Sequence, residues 1–77
     1  MSPTDIVIET VLEVLKENGH DPVPLSSDTN LLQQTPLDSM GLAVVVLRLE
    51  EKTGKDPFAT GFRLFQTVEE LAALYEP

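Results

Sequence analysis

The chain has 77 residues, which allow one domain with one modest core but leave no room to enclose a cavity the size of an enzyme active site. Its formal net charge of −8 repels nucleic-acid phosphates and anionic lipids and attracts basic protein surfaces. We therefore expect one domain over residues 1–77 that has no catalytic residues, binds neither nucleic acid nor membrane, and works with protein partners.

The first predicted element is a helix. Ser2 is a suitable N-cap, Pro3 suits the first turn, and Asn18-Gly19 forms a helix stop. Apolar residues recur between them at i, i+3, i+4 and i+7, which predicts a buried stripe of Ile8, Val11, Leu12 and Leu15, widened by Val7 and Val14. Another face carries acidic residues at four-residue spacing: Asp5, Glu9, Glu13 and Glu17. We interpret this acidic ladder as a solvated face, in which Lys16 slightly reduces the repulsion between the acidic side chains.

A long connecting segment follows over residues 19–37. It is rich in prolines and turn-forming polar residues, and it has no sustained hydrophobic period. A connection of this length inside a compact domain is typically functional or packed down as a structured loop. We expect four apolar side chains to anchor it to the core: Val23, Leu25, Leu31 and Leu32.

The second predicted helix is unusually apolar. Asp38 caps it, it continues to about Thr53, and Gly54 ends it. A helix that is apolar all round needs burial on every side or a partner. Helical angles separate a core stripe of Leu42, Val45, Val46 and Leu49 from a stripe beside Ser39 that consists of Met40, Ala43, Val44 and Leu47. We expect the second stripe to stay at the surface as an interaction site. The alternative is that the long loop and a short third helix cover both stripes.

The remainder of the chain predicts a short helix and a final helix. Residues 54–60 form a loop, and the segment from Gly61 to Phe65 has room for one short helical turn, with Phe58, Phe62 and Phe65 as core plugs around it. Thr67-Val68-Glu69-Glu70 has capping-box spacing, and the final buried stripe is Val68, Leu71, Ala72 and Tyr75. The predicted fold class is all-α: a small four-helix bundle of three main helices and one short helix, with a long loop between helices one and two.

Ser39 lies at the first position of the second helix, where unpaired backbone N–H groups and the positive end of the helix dipole favour an anion. A phosphodiester on its hydroxyl would be stabilised there. The competing interpretation makes Ser39 only an alternative cap beside Asp38. A hydrolase of Ser39, His20 and Asp38 is disfavoured, because no Gly-x-Ser-x-Gly motif surrounds the serine. One histidine and no cysteine leave no ligand cluster for a metal.

Leu37-Asp38-Ser39-Met40 resembles the Asp-Ser-Leu signature of acyl carrier and peptidyl carrier domains. The resemblance extends over the helix order, the Glu50-Glu51-Lys52-Thr53-Gly54 end of helix two, and the Thr67-Val68-Glu69-Glu70-Leu71 start of the last helix. It implies that Ser39 bears a covalent 4′-phosphopantetheine arm from coenzyme A, and that Asp38 assists the phosphopantetheinyl transferase by helping to hold its metal ion. It also implies that a face of helix two docks partner enzymes: Met40, Ala43, Val44 and Leu47.

Two departures from the family pattern narrow the expected role. Fatty-acid carriers tend to place acidic residues directly after the serine motif, whereas this chain has Gly41, Val44 and Arg48, and Met40 replaces leucine. These features look more like a stand-alone carrier of specialised metabolism, such as polyketide, nonribosomal peptide or other antibiotic biosynthesis. The implied partners are the transferase, an acyl- or aminoacyl-loading enzyme and downstream biosynthetic enzymes. Short acyl, hydroxyacyl and aminoacyl thioesters all remain open as cargo.

No stretch approaches the roughly 18 apolar residues of a membrane span, and the N-terminus lacks a basic segment followed by an apolar run. We therefore expect a cytoplasmic protein, and the family resemblance implies a monomer. The alternative function is a small acidic helical adaptor that uses the apolar face of helix two for protein–protein interaction without a prosthetic group.

Overall fold

Three helices carry the fold of the computed structural model, which describes residues 2–59, 61 and 63–76. Within that part of the chain there is no β-strand, and the three main predicted helices are all present. In chain order the helices are α1 (Pro3–Glu17), α2 (Ser39–Thr53) and α3 (Val68–Ala73). The first helix packs against both of the others.

The predicted starts of the three helices and the predicted end of α2 are confirmed by their caps, whereas α3 ends at Ala73, before Tyr75 of the predicted stripe. Ser2 Oγ accepts a hydrogen bond from the backbone N–H of Asp5 at 3.2 Å at the start of α1. Thr67 and Glu70 form a reciprocal capping box at the start of α3, in which each side chain accepts from the backbone N–H of the other residue. The second helix ends at Gly54, whose φ of 73° lies in the left-handed region that glycine adopts without a steric penalty.

The expected short helix between Gly61 and Phe65 is not among the helices of the described residues. Gly61 has a φ of 137°, which no α-helix accommodates, and the described residues that follow it up to Phe65 are not helical. Thr60 and Phe62 lie outside the described residues, so the predicted place of Phe62 in the core does too. Phe58 and Phe65 do pack against the core, with ring centroids 6.0 Å apart.

The buried stripe of α1 is rotated away from the predicted one. Ile8 and Leu12 are only half-buried, because α1 lies against both α2 and α3 and its core face is centred between those two neighbours. The stripe that is buried consists of Val7, Thr10, Val11, Val14 and Leu15. The whole buried apolar core consists of Val7, Val11, Val14, Leu15, Leu31, Leu37, Val45, Leu49, Val68, Leu71, Ala72 and Tyr75.

Three residues of the acidic ladder pair with cations of α2. Lys52 Nζ lies 2.6 Å from Glu13 Oε2 and 3.6 Å from Glu9 Oε1. Arg48 forms a bidentate hydrogen-bonded ion pair with Glu17. These three glutamates remain partly exposed to solvent, as expected of a solvated face, and in addition they join α1 to α2.

The long connection between α1 and α2 is tied to the start of α3. The backbone N–H of Leu31 donates to the Gln66 carbonyl at 2.9 Å, and the backbone N–H of Val68 donates to the Thr29 carbonyl at 3.0 Å. These bonds give the connection a fixed path along the bundle. The sequence expectation of a structured loop agrees with this arrangement.

The anchors of that connection differ in part from the predicted set. Leu31 is buried, and Val23 and Leu25 are half-buried and packed against the core. The anchoring role expected of Leu32 is wrong, since its side chain is 49% exposed. Leu37, directly before the cap of α2, is buried instead.

Candidate functional site

Ser39 is the first residue of α2, and Asp38 is the cap. Asp38 Oδ1 accepts a hydrogen bond from Gly41 N at 2.7 Å, and the Asp38 carbonyl accepts one from Leu42 N at 3.0 Å. Because Asp38 does the capping, the competing interpretation of Ser39 as the cap is wrong. The Ser39 side chain is exposed, and none of the described residues hydrogen-bonds its hydroxyl. This hydroxyl is therefore free to be modified.

Because Gly41 has no side chain, the first turn of α2 packs closely against the two residues that precede the helix, Leu37 and Asp38. A Cβ atom at this position would lie 3.0 Å from Leu37 Cδ2 and 3.3 Å from Asp38 Oδ1. Leu37 is buried and has little freedom to move aside. The absence of a side chain at Gly41 thus lets the buried Leu37 and the capping carboxylate hold Ser39 in place. In the sequence analysis Gly41 was only a departure from the pattern of fatty-acid carriers; its position three residues after a capping aspartate was the available signal for this packing role.

The apolar residues of α2 separate into a core side and a surface side. Val45 and Leu49 are buried, which confirms the predicted core stripe at its centre. On the other side, Met40 is 75% exposed, Leu47 is 56% exposed, and Ala43 is exposed as well. These three residues, called the exposed stripe below, lie on the same helix as Ser39. The alternative in which both stripes are covered is therefore wrong.

Val44 occupies a different place from the one predicted. It is half-buried and packed against the core, so only part of its side chain reaches the surface. Its helical position lies between the exposed stripe and the core side of α2, and its side chain packs against the core. The structure therefore brings three of the four predicted docking residues fully to the surface and the fourth only at its margin.

Arg48 does not contribute charge to the exposed stripe. Its guanidinium is held on the α1 side by Glu17, with Glu13 Oε1 3.8 Å away, and this pairing raises the pKa of Arg48 above its ordinary value. Beyond Leu47 the exposed residues on α2 include Glu50 and Glu51. The accessible side of α2 is therefore apolar near Ser39 and acidic near its C-terminal end.

Residues 5–75 match a protein family described as the phosphopantetheine attachment site, a match that includes α1, α2 and α3 almost entirely. The chain belongs to the phosphopantetheine attachment-site family. No curated protein and no solved structure matches it significantly. The family's prosthetic group is 4′-phosphopantetheine, bound covalently, which makes the chain a phosphopantetheine-bearing domain of the carrier-protein kind.

The surroundings of Ser39 fit this phosphopantetheine group. The first turn of α2 contains no acidic side chain, and the backbone N–H groups at a helix start have no partners within the helix. A phosphodiester at this position lies in the favourable field of the helix dipole. The neighbouring Asp38 has one carboxylate oxygen bonded to Gly41 N, so that part of its charge is already stabilised.

Other chemistry has little support in the phosphopantetheine domain. The described residues hold no group of three or more His, Asp or Glu side chains placed to bind a metal ion. His20 is exposed just beyond α1, where its backbone N–H donates to the Leu15 carbonyl at 2.9 Å, as expected for a residue after a helix stop. Among the described helices, none has the length and apolar character needed to cross a lipid bilayer.

Proposed function

We propose that this protein is an acyl or aminoacyl carrier with no catalysis of its own, and that its 4′-phosphopantetheine arm is attached to Ser39. The observation that carries the proposal is the exposed, unbonded Ser39 hydroxyl at the start of α2 in a chain that matches the family over residues 5–75. Of the other serines, Ser2 caps α1 and Ser26 donates to Asp28, whereas Ser27 is exposed but lies in a loop and not at a helix start. Ser39 combines accessibility with a helix start suited to a phosphate.

The residues around Ser39 have separate roles in this proposal. When bound, the prosthetic group supplies a thiol at the end of a flexible arm, and cargo is held there as a thioester. Attachment forms a bond between Ser39 Oγ and phosphorus, releases the adenosine bisphosphate part of coenzyme A, and passes the seryl proton to a base of the transferase. Asp38 fixes the first turn of α2 through Oδ1, and its other oxygen assists the metal ion of the transferase.

The exposed stripe is the proposed docking surface for the transferase, the loading enzyme and the downstream enzymes. Met40, Ala43 and Leu47 offer apolar contact, with Val44 at the margin. A partner that covers this surface meets acidic side chains at the C-terminal end of α2. We therefore expect partner surfaces that are apolar opposite Met40 and basic opposite Glu50 and Glu51.

The pathway we propose is specialised metabolism of the polyketide or nonribosomal type, with the protein acting as a cytoplasmic monomer in a single domain over residues 1–77. Support comes from α2 itself, which lacks acidic residues in its first turn and exposes Met40 where a fatty-acid carrier tends to present leucine followed by acids.

One experiment tests the attachment. The purified protein is incubated with coenzyme A and a broad-specificity phosphopantetheinyl transferase, and its intact mass is measured. We expect the mass of one phosphopantetheine to be added to the wild type and to Ser27→Ala, a control at an exposed loop serine, and none to Ser39→Ala. A wild-type protein that stays unmodified while a control carrier reacts would contradict the proposal.

A second candidate function is supported by the exposed stripe alone. A small acidic adaptor would use the same apolar surface to bind a protein partner without any arm. The mass measurement separates the two functions, because an adaptor gains no phosphopantetheine and Ser39→Ala leaves its partner binding unchanged.

A further inference from the structure

The charged side chains of α2 are sorted onto two sides of the helix. The helix contains two bases, Arg48 and Lys52, and two acids, Glu50 and Glu51, so by its sequence alone it has no net charge. Arg48 and Lys52 are four residues apart and therefore share one side, on which both meet the acidic ladder of α1. Glu50 and Glu51 are exposed and form no ion pair with any described residue. A partner that approaches α2 therefore meets its acids and not its bases.

This sorting depends most on Arg48, because Arg48 is the base closest to the exposed stripe. It directly follows Leu47 and comes one turn after Val44, which lies at the margin of the stripe. Both terminal nitrogens of its guanidinium donate to the carboxylate of Glu17, and the Arg48 side chain is left only 28% exposed. The bond to Glu17 therefore determines whether the edge of the exposed stripe carries a positive charge.

No other carboxylate can replace Glu17 without changing the accessible side of α2. Glu13 Oε1 lies 3.8 Å from the guanidinium, but Glu13 Oε2 is already 2.6 Å from Lys52 Nζ. Glu51 follows Arg48 by three residues and lies close enough for its charge to act on the guanidinium. If Arg48 turned to Glu51, it would neutralise one of the two accessible acids. Loss of Glu17 therefore makes the docking surface less acidic wherever the guanidinium goes.

We propose that Glu17 is a specificity-determining residue of the docking surface: it holds Arg48 against α1, so that α2 presents only apolar and acidic groups and selects partner enzymes with a basic contact surface. The inference rests on the proposed function, because it requires partners to dock on the exposed stripe. Glu17 acts here through Arg48 and not through its own contact with the partner. An exposed ion pair contributes little to stability, so the effect on docking is separable from folding.

The test measures phosphopantetheine transfer by a transferase whose carrier-binding surface is basic. KM and kcat are determined for the wild type, Glu17→Gln, Arg48→Gln and the double variant. A unit charge about 7 Å from a like charge in water weakens binding about threefold, so Glu17→Gln should raise KM about threefold and leave kcat unchanged. In the Arg48→Gln background the same substitution should change KM by less than about 1.5-fold, because no cation is left to be released.

Two controls separate this effect from net charge. Asp5→Asn removes one negative charge from the same helix, about 18 Å from Glu17 along the axis, which exceeds the screening length of about 10 Å at 0.1 M salt. Its KM should equal that of the wild type. At about 1 M salt, where charges are screened within about 3 Å, the KM values of Glu17→Gln and the wild type should converge.

Three outcomes would overturn the inference. A wild-type KM for Glu17→Gln would show that the orientation of Arg48 has no influence on docking. An equal rise in KM with and without Arg48 would show that Glu17 acts by its own charge. An equal rise in Asp5→Asn would show that only the net charge matters. A wild-type protein that gains no phosphopantetheine would instead overturn the proposed function.

Discussion

Lys52 on α2 donates a hydrogen bond to the hydroxyl of Thr10 on α1, with Nζ 3.0 Å from Oγ1. Thr10 is completely buried, and its hydroxyl in turn donates to the Ile6 carbonyl at 2.7 Å. The one polar side chain in the buried stripe of α1 is thus satisfied as both donor and acceptor. The bond to Thr10 also directs Lys52 towards Glu13. The Lys52 ammonium therefore makes both a contact with the core and an ion pair between the two helices.

Thr10→Val should lower the free energy of unfolding by about 1 kcal/mol. Valine fills nearly the same space but removes both hydrogen bonds of the hydroxyl, and Lys52 keeps its contact with Glu13. Urea denaturation followed by circular dichroism measures the change. Thr4→Val, the same substitution at a half-buried position of α1, is the control and should change stability by less than about 0.5 kcal/mol. Equal stability of the two variants would show that the Thr10 hydrogen bonds contribute nothing.

Arg48 and Glu17 give the fold a defined acid sensitivity. Hydrogen bonds from Arg48, assisted by its charge, hold the pKa of the Glu17 carboxyl below its ordinary value of 4.5. The unfolded chain therefore takes up this proton at a higher pH than the folded chain. The stability contributed by the pair is complete above about pH 4.5 and is lost as the pH falls through the lowered pKa.

Glu17→Gln should consequently reduce the slope of unfolding free energy against pH below about pH 4.5 and leave the profile near neutrality parallel to that of the wild type. Arg48→Gln removes the other partner and should give the same flattened profile. The double variant should add no further flattening, because both changes remove one interaction. Measurement is by urea denaturation at a series of pH values. Unchanged slopes in both single variants would exclude the pair as a source of the acid sensitivity.

The helix boundaries were predictable because the signals that set them are local. Ser2, Asp38 and the pair of Thr67 and Glu70 each bond a backbone group no more than three residues away, so a short stretch of sequence contains the whole interaction. Ser39 could be placed at the start of α2 for the same reason. Its accessibility also followed from the sequence, once Asp38 was taken as the cap.

Contacts between distant segments could not be predicted in the same way. No local pattern shows that Arg48 and the acidic ladder of α1 face each other, since this depends on how α1 and α2 cross. The half-burial of Val44 and the exposure of Leu32 depend on which neighbours cover them. A cleft beside Leu42 joins residues 30–33 to residues 65–66, which meet only in the folded chain, so no local pattern in the sequence predicts it.

Tyr75 buries a hydroxyl that has no hydrogen-bond partner among the described residues. Its burial, together with the nearby negative charges of Asp56 and Glu50, raises the pKa of this phenol to about 12. Folding is thus favoured most while the phenol is neutral, and stability falls as the pH rises from about 10, where the unfolded chain ionises, to about 12.

Tyr75→Phe should therefore leave stability at neutral pH unchanged or raise it by up to about 1 kcal/mol, because it removes a buried polar group without leaving a partner unpaired. It should also abolish the fall in stability above pH 10 that is due to this group. Denaturation of both proteins at neutral and alkaline pH measures the two effects. A clear loss of stability in Tyr75→Phe at neutral pH would mean that the hydroxyl has a partner after all.

Glutamate substitutions at neighbouring positions of α2 should distinguish the exposed stripe from the core by their effect on stability. Leu47→Glu should keep the free energy of unfolding within about 0.5 kcal/mol of the wild type, because the side chain is 56% exposed. Val44→Glu, which forces a charge against the core, should destabilise the fold measurably. Leu49→Ala, at a fully buried position, should cost about 2–5 kcal/mol.

The same variants distinguish docking from folding. Leu47→Glu should slow phosphopantetheine transfer from coenzyme A although its Tm is unchanged, since a carboxylate replaces an apolar contact with the transferase at a site where Glu50 and Glu51 already contribute negative charge. Leu47→Met, which keeps an apolar side chain, is the matched control and should react at the wild-type rate. If Leu47→Glu reacted as fast as Leu47→Met, the exposed stripe would not be the surface that the transferase contacts, and docking would have to be sought on another face of the bundle.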